Sequence, residues 1–135
     1  MAKRRNIQPD TLVTPRRKGA VLYSDAVSVE GRRFVFIAGQ LSRDAAGNLV
    51  GKGDMRAQMR KACENVKTAL EAAGASLADV VKITSFTTDA EEFFKHIEVR
   101  TEFFGDVLPT STTVEIRRLA SPDYLVEIEA IAVTD

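Results

Sequence analysis

Two segments near the C-terminus hold the residues whose types and spacing could do chemistry: Pro109-Thr-Ser-Thr-Thr-Val-Glu-Ile116 and Leu125-Val-Glu-Ile-Glu-Ala-Ile-Ala132. Glu127 and Glu129 are two residues apart, so a strand places both carboxyl groups on one face. A carboxyl group in a cleft can position water or move a proton. Because its partial burial has a desolvation cost, such a group is expected to be either paired or functional.

Arg117 is the cation that follows the first segment, and it shares a strand face with Ser111. A hairpin centred on Pro122 would place Arg117 opposite Glu127 on the last strand. A register shifted by one residue would place Val126 there instead. A cross-strand ion pair is the structural interpretation of Arg117. The functional interpretation is that its guanidinium binds an anionic group of a substrate.

Other kinds of chemistry find little support in the sequence. Metal sites need several convergent ligands, and the chain has one histidine, His96, and one cysteine, Cys63. His96 is predicted on a solvated part of a helix, and Cys63 on an apolar helix stripe as a buried, inert thiol. No glycine-rich phosphate-binding motif is present, since the glycines at 47, 51 and 53 are typical of turns. We therefore expect neither a metal nor a cofactor.

The composition is that of one soluble domain. The chain has 135 residues, 44% hydrophobic and 28% charged, with a formal net charge of zero. Nothing in that balance favours binding to nucleic acid or to an anionic membrane. There is no apolar run of transmembrane length and no signal-peptide core. With a single cysteine, the sequence predicts a cytoplasmic protein.

The first 18 residues are expected to form a separate N-terminal arm, followed by one domain over residues 19–135. The arm carries two basic clusters, Lys3-Arg-Arg5 and Arg16-Arg-Lys18. A solvated, partly disordered arm is the favoured interpretation, and contact with nucleic acid is the alternative.

Periodicity and turn signals place the elements of the domain. Two helices are predicted, one over Asp54–Ala73 ended by Gly74, and one over Ala90–Phe104 capped by Asp89 and closed by Gly105. Five strands are predicted, at Tyr23–Val29, Arg33–Ala38, Val80–Thr87, Thr112–Arg118 and Leu125–Val133, with a loop over Gly39–Gly53.

This β-β-α-β-α-β-β order leaves one sheet face without helices, because two helices can cover only one face. In the last strand, that face would carry large apolar groups beside the carboxylates: Leu125, Glu127, Glu129, Ile131 and Val133. Such a face is poorly suited to water, so we expect another subunit to cover part of it.

The two C-terminal segments resemble the closing strands of the RidA (YjgF-type) family of imine deaminases, Pro-x-Arg-x-x-Val and Ile/Val-Glu-Ile-Glu-Ala-Ala/Ile-Ala. Tyr23-Ser-Asp-Ala-Val27 is similar to the family's Tyr-Ser-Gln-Ala-Val, and Phe34-Val-Phe-Ile-Ala-Gly-Gln40 to its Val-Phe-Val-Ser-Gly-Gln. The resemblance runs from Gly19 to Val133. It implies an α+β, chorismate-mutase-like fold: a single mixed sheet with two helices on one face. It also implies a homotrimer whose sheets form a central barrel, with clefts between subunits.

The resemblance assigns site residues by position. Glu127 matches the family's strand glutamate and would be the catalytic group. The substrate-binding positions of the family fall on Tyr23, Ala38, Gly39, Ile97, Ser111 and Thr113, to which our own argument adds Arg117. Three of these positions depart from the family pattern: Ser111 replaces the arginine that holds the substrate carboxylate, Ala38 a serine, and Ile97 a frequent asparagine.

The activity implied is hydrolytic deamination of an imine or enamine other than the usual 2-aminoacrylate type, because Ser111 has no charge with which to hold a carboxylate. One alternative is a non-catalytic ligand-binding or regulatory trimer. A third hypothesis is the endoribonuclease activity ascribed to some family members. In the first two cases the partner is a small molecule, with neither nucleic acid nor membrane involved.

Overall fold

A computed structural model describes residues 2–14, 16–17 and 19–135 of the chain. The strands are β1 (Lys3–Ile7), β2 (Arg16–Arg17), β3 (Ala20–Val21), β4 (Ala26–Glu30), β5 (Arg33–Leu41), β6 (Val80–Thr87), β7 (Thr110–Glu115) and β8 (Val126–Thr134). The helices are α1 (Met55–Ala72), α2 (Ala90–Lys95) and α3 (Ile97–Phe104), with one 3₁₀ turn at Leu77–Asp79.

The main sheet is mixed and four-stranded, in the order β5-β8-β6-β7. Strand β8 runs antiparallel to both β5 and β6, while β7 runs parallel to β6. A bulge interrupts the pairing of β5 with β8 between Ile37 and Gln40. The helices pack on one face of this sheet, and the buried apolar side chains there form one core. The α+β class and the mixed sheet are as predicted.

Helix α1 matches its prediction closely. The Asp54 side chain caps it by accepting a hydrogen bond from the Ala57 amide at 3.0 Å. Gly74, with φ of 77°, lies just beyond its end. The apolar stripe of the helix faces β5 and β8 and includes Met59, Cys63, Val66 and Leu70, all fully buried.

The second predicted helix is in fact two helices, so the sheet carries three helices and not two. Asp89 caps α2 as expected, by accepting from the Glu92 amide at 3.0 Å. The chain then leaves helical geometry at His96, with φ of −114° and ψ of 21°. Phe93 and Ile97 keep their four-residue spacing across this break, and both are buried. The apolar pattern therefore could not reveal the interruption.

The closing strands are not a hairpin, which corrects the prediction for β7 and β8. Strand β6 lies between them, so Glu127 pairs with Phe86 and not with Arg117. Strand β7 reaches the sheet through α2 and α3, and such a crossover returns the chain parallel to the strand that it left. Arg117 lies beyond the end of β7 and is exposed.

Residues 3–7 form a strand where a partly disordered arm was expected. Strand β1 pairs antiparallel with β4, which was predicted to join the main sheet beside β5. The Arg4 guanidinium donates to the carbonyl oxygens of Val80 and Val107 at 2.7 and 2.8 Å. These bonds attach β1 to the core domain. Lys18, the last residue of the second basic cluster, lies outside the described residues.

The face without helices is covered differently from the prediction. Leu125 packs against the core, and Val133 is buried beside Ala2 and Val29 of the N-terminal strand pair. Large apolar side chains that remain uncovered on this face include Phe34 and Phe36 of β5, which are 63% and 72% exposed, and Val114 of β7, which is 37% exposed. None of the helices in the described ranges is both long and apolar enough to cross a membrane.

Candidate functional site

Strand β7 carries Ser111 and Thr113 on the helix-covered face of the sheet. In the parallel register they lie beside Ile83 and Ser85 of β6, both of which are buried under the helices. Because β7 is the edge of the main sheet, Ser111 and Thr113 are only half-buried. Tyr23 and Arg100, which are described next, lie near these two residues. We call the four residues Tyr23, Arg100, Ser111 and Thr113 the β7 half-site.

The loop that carries Tyr23 is attached to the start of β7. The Ser24 hydroxyl donates to the Leu108 carbonyl oxygen at 2.7 Å, and the Ser24 amide donates to that of Pro109 at 3.2 Å. Leu108 itself has φ of 50°, which is rare for a bulky side chain. The strained residue and the two hydrogen bonds hold the Tyr23 loop against the β7 half-site.

Arg100 is a functional candidate that the sequence analysis missed. Its side chain projects from α3 and is only 3% exposed. It donates to the Thr113 hydroxyl at 3.3 Å, and its Cζ lies 5.8 Å from the centre of the Phe93 ring. A signal was available, since Arg100 lies three residues after Ile97, on the apolar side of the predicted helix, where a charged residue is unusual.

The electrostatics around Arg100 are those of a charge in a poorly solvated place. Burial lowers the pKa of the Arg100 guanidinium to about 10, and interactions with Cys63 and Tyr23 partly oppose this effect. Burial also raises the pKa of the Cys63 thiol to about 12. Cys63 is buried, as predicted, and a thiol with a pKa raised in this way is protonated at neutral pH, which agrees with an unreactive group.

Glu127 and Gly39 meet on the other face of the sheet, and we call them the β8 half-site. Gly39 lies within the bulge of β5, and a Cβ built there would be only 2.6 Å from Cδ of Glu127. The half-buried Glu127 carboxylate thus lies directly over the glycine backbone. Glu127 and Gly39, which the resemblance assigns to the site, are therefore in contact. The absence of a Cβ at position 39 makes that contact possible.

The other predicted site residues are dispersed. Ala38 is exposed beside Gly39, while Ile97 is 2% exposed and belongs to the core. Arg117 lies in a surface pocket with Thr88 and Tyr124, away from its predicted partner Glu127. The predicted ion pair of Arg117 with Glu127 is therefore wrong within one copy, while its role as a substrate anchor stays a prediction.

The two half-sites point away from each other. Glu127 is paired with Phe86, which is three residues from Ile83 along β6 and so projects to the opposite face. One copy of the chain therefore cannot bring Glu127 to Ser111 and Thr113. Within the described ranges, no group of three or more His, Cys, Asp or Glu side chains could hold a metal ion.

Comparisons with known proteins agree with this arrangement of elements. The profile of the Endoribonuclease L-PSP family matches residues 15–134. A RutC family protein of Pyrococcus abyssi is 44% identical over 110 residues, which is 82% of this chain and 84% of that protein. A 2-iminobutanoate/2-iminopropanoate deaminase of Dermatophagoides farinae is 34% identical over 113 residues, 84% of this chain and 86% of the relative.

Among solved structures, a Rid family protein of Yersinia pestis, YyfB, superposes with a TM-score of 0.84 at 31% identity. The match covers 96% of this chain and 98% of that one. Sequence, profile and fold thus agree over nearly the whole chain, which belongs to the RidA (YjgF-type) family, the Endoribonuclease L-PSP family of the matching profile.

Proposed function

We propose that this chain forms a homotrimer whose inter-subunit clefts bind a small molecule and hydrolyse an imine or enamine. The observation that carries the proposal is the division of the site between the two faces of one sheet. Glu127 and Gly39 occupy one face, and Tyr23, Ser111 and Thr113 the other. A cleft that uses both half-sites needs two copies, each contributing one.

The uncovered side chains of β5 support this assembly. Phe34 and Phe36 project from the face without helices, on the same side as Glu127 and Ile131. Exposed aromatic pairs of this kind mark interfaces between proteins. Covering them with a neighbouring sheet would also bring the neighbour's edge toward Glu127. The single, buried Cys63 agrees with a reducing, cytoplasmic location.

Imine hydrolysis makes demands that this site can meet. Water adds to the protonated imine and gives up one proton to a base, which leaves a neutral carbinolamine. That proton then passes to the nitrogen, and the hydroxyl group releases its own proton to solvent as the C–N bond breaks to give a carbonyl compound and ammonia. We assign to Glu127 the role of accepting the first proton and returning it to the leaving nitrogen. The similarity to a 2-iminobutanoate/2-iminopropanoate deaminase supports this reaction class. With the neutral Ser111 on β7, we expect a substrate other than the usual 2-aminoacrylate type.

An amino-acid oxidase assay tests the proposal. Oxidases generate 2-imino acids in situ, and the release of ammonia is timed with and without the protein over a panel of amino acids and of enamine precursors. Glu127→Gln should abolish turnover of whichever substrate is accepted, while the melting temperature stays unchanged. Glu129→Gln is the matched control, because Glu129 is exposed two residues further along the same face. Equal activity of Glu127→Gln and wild type would contradict the role of Glu127.

A non-catalytic ligand-binding trimer is the second candidate, favoured by the neutral side chain at Ser111. Binding of a small carboxylate in the absence of ammonia release from every member of the panel would support it. The description of the family profile makes RNA a further substrate to include in the assay. Cleavage of RNA that survives Glu127→Gln would contradict the deaminase proposal.

A further inference from the structure

The buried guanidinium of Arg100 has fewer partners than its chemistry requires. An arginine side chain has five N–H donors. The one hydrogen bond described for Arg100 is the contact of 3.3 Å with the Thr113 hydroxyl. Within the described ranges no carboxylate forms an ion pair with it, and burial is the largest influence on its pKa. A buried charge without a counter-ion is destabilising unless something else completes it.

A second unsatisfied group lies next to this one. The Ser85 hydroxyl is fully buried and has no hydrogen-bond partner among the described residues. Ser85 is the register neighbour of Thr113, the residue to which Arg100 donates. A cation with spare donors and a hydroxyl without a partner therefore lie on either side of the same threonine.

This polar layer is close to the rim of the proposed cleft. Thr113 and Ser111 are half-buried on the edge strand, and Tyr23 is held nearby through the bonds of Ser24. A small ligand at the edge of β7 would meet Ser111 and Thr113 first and Arg100 behind them. Only the Thr113 side chain thus separates the Arg100 guanidinium from the proposed cleft, although little of the guanidinium is exposed in a single copy.

We propose that Arg100 is the anion-binding group of the cleft, and that its guanidinium accepts the carboxylate of a small ligand between α3 and β7. The inference rests on the proposed function for the existence of the cleft but not for its catalysis. Thr113 and Ser111 donate hydroxyl hydrogen bonds to the same carboxylate. The charge is supplied by a helix, so the strand position 111 needs no cation of its own.

A carboxylate is the ligand group that fits best. The guanidinium fork matches the two oxygens of a carboxylate in one plane, and a desolvated pair of this kind is much stronger than an exposed one. The carboxylate would also satisfy donors that the protein alone leaves unused. Because Arg100 reaches the cleft from α3, the carboxylate would sit deeper than one held from β7, which changes the shape of substrate accepted.

Calorimetric titration of the intact protein with propanoate and benzoate, each compared with its primary amide, tests the inference. Wild type should bind at least one of the acids and neither amide. Arg100→Met should weaken binding of that acid by about 30-fold or more, the loss expected for a charge-assisted hydrogen-bonded pair. Arg100→Lys, which keeps the charge but not the fork, should fall between them. Arg32→Ala is the matched control, because Arg32 is exposed just before β5, which is the opposite edge of the main sheet from β7, and it should bind like wild type.

A measurement on the wild-type protein keeps the inference testable if the Arg100→Met and Arg100→Lys proteins fail to fold. In wild type labelled with [15N]arginine, one side-chain Nε–H resonance should shift on saturation with the acid that binds and stay in place with its amide. Failure of both acids to bind, equal binding of acid and amide, or unchanged affinity in a folded Arg100→Met protein would each overturn the inference. Acid binding through Arg100 without ammonia release would uphold it while contradicting the deaminase proposal. Turnover that survives Arg100→Met would uphold the deaminase proposal and contradict the role of Arg100.

Discussion

Residue scale. Gly39 and Glu127 show how one missing methyl group can position a reactive side chain. The nearest atoms to a Cβ at position 39 all belong to Glu127, with Cδ at 2.6 Å and Oε2 at 2.9 Å. The same strand also carries Glu129 on the same face, but none of the three atoms nearest to that Cβ belongs to it. The difference between two glutamates in one motif therefore depends on a bulge in a different strand.

Gly39→Ala should lower turnover sharply and change stability little. The added methyl would displace the flexible carboxylate and not the backbone, and a misplacement of about 1 Å can reduce a rate by about 100-fold. The free energy of unfolding should change by less than about 1 kcal/mol. Steady-state kinetics and urea unfolding measure the two effects. In a Glu127→Gln background, Gly39→Ala should add no further loss, and an additive loss would show that the two residues act separately.

Element scale. Strand β1 is attached to the folded domain by the side chains of Arg4 and Asn6 as well as by its pairing with β4. Arg4 reaches across to the carbonyl oxygens of Val80 and Val107, which belong to β6 and to the segment before β7. Its pKa is lowered by this burial, an effect that the charge of Asp79 partly opposes. The arm thus supports the segment that begins the β7 half-site.

Arg4→Ala should destabilise the protein by about 1–3 kcal/mol, because it removes a charged donor from the part-buried carbonyl oxygens of Val80 and Val107, the second of which keeps the Asn6 amide as a donor. Arg5→Ala, which changes the exposed neighbour on the same strand, should stay within about 0.5 kcal/mol of wild type. Urea unfolding at one fixed protein concentration provides the comparison, since assembly makes stability depend on concentration. Equal effects of the two changes would mean that β1 is not anchored through Arg4.

Whole-molecule scale. The sheet of a single copy is incomplete in two respects. Phe34 and Phe36 are exposed on the face without helices, and the two half-sites are on opposite faces. The proposed assembly of identical copies would resolve both at once, because covering the aromatic face of one copy would bring a second copy toward Glu127. This common cause is why we expect activity and assembly to be lost together.

Phe36→Asp should convert the trimer to a monomer and abolish ligand binding, because a carboxylate replaces an apolar group that assembly would bury. Light scattering at micromolar concentration should show three 14.8 kDa chains for wild type and one for the variant. Val13→Asp is the matched control, since Val13 is 84% exposed but lies in the N-terminal segment. A monomeric wild type, or a trimeric Phe36→Asp protein, would contradict the assembly.

The sequence by itself determined the local elements and the family. Helix α1 with its Asp54 cap, strand β6, the Asp89 cap and the buried Cys63 all follow from apolar spacing and end signals. These features depend on residues within a few positions of each other, so periodicity is sufficient to predict them. The family motifs assigned Glu127 and Gly39 to the site, but the contact between them was not predicted.

Only the tertiary structure decided which strands are neighbours and which charges are buried. The insertion of β6 between β7 and β8 removed Arg117 from Glu127, because strand pairing joins segments that local patterns cannot relate. Packing likewise enclosed Arg100, whose charge would have suggested an exposed position, and left Phe34 and Phe36 in solvent. Burial depends on how all the helices and strands pack together. In this protein the packing buries a cation and leaves two aromatic rings exposed, the opposite of what the residue types alone suggest.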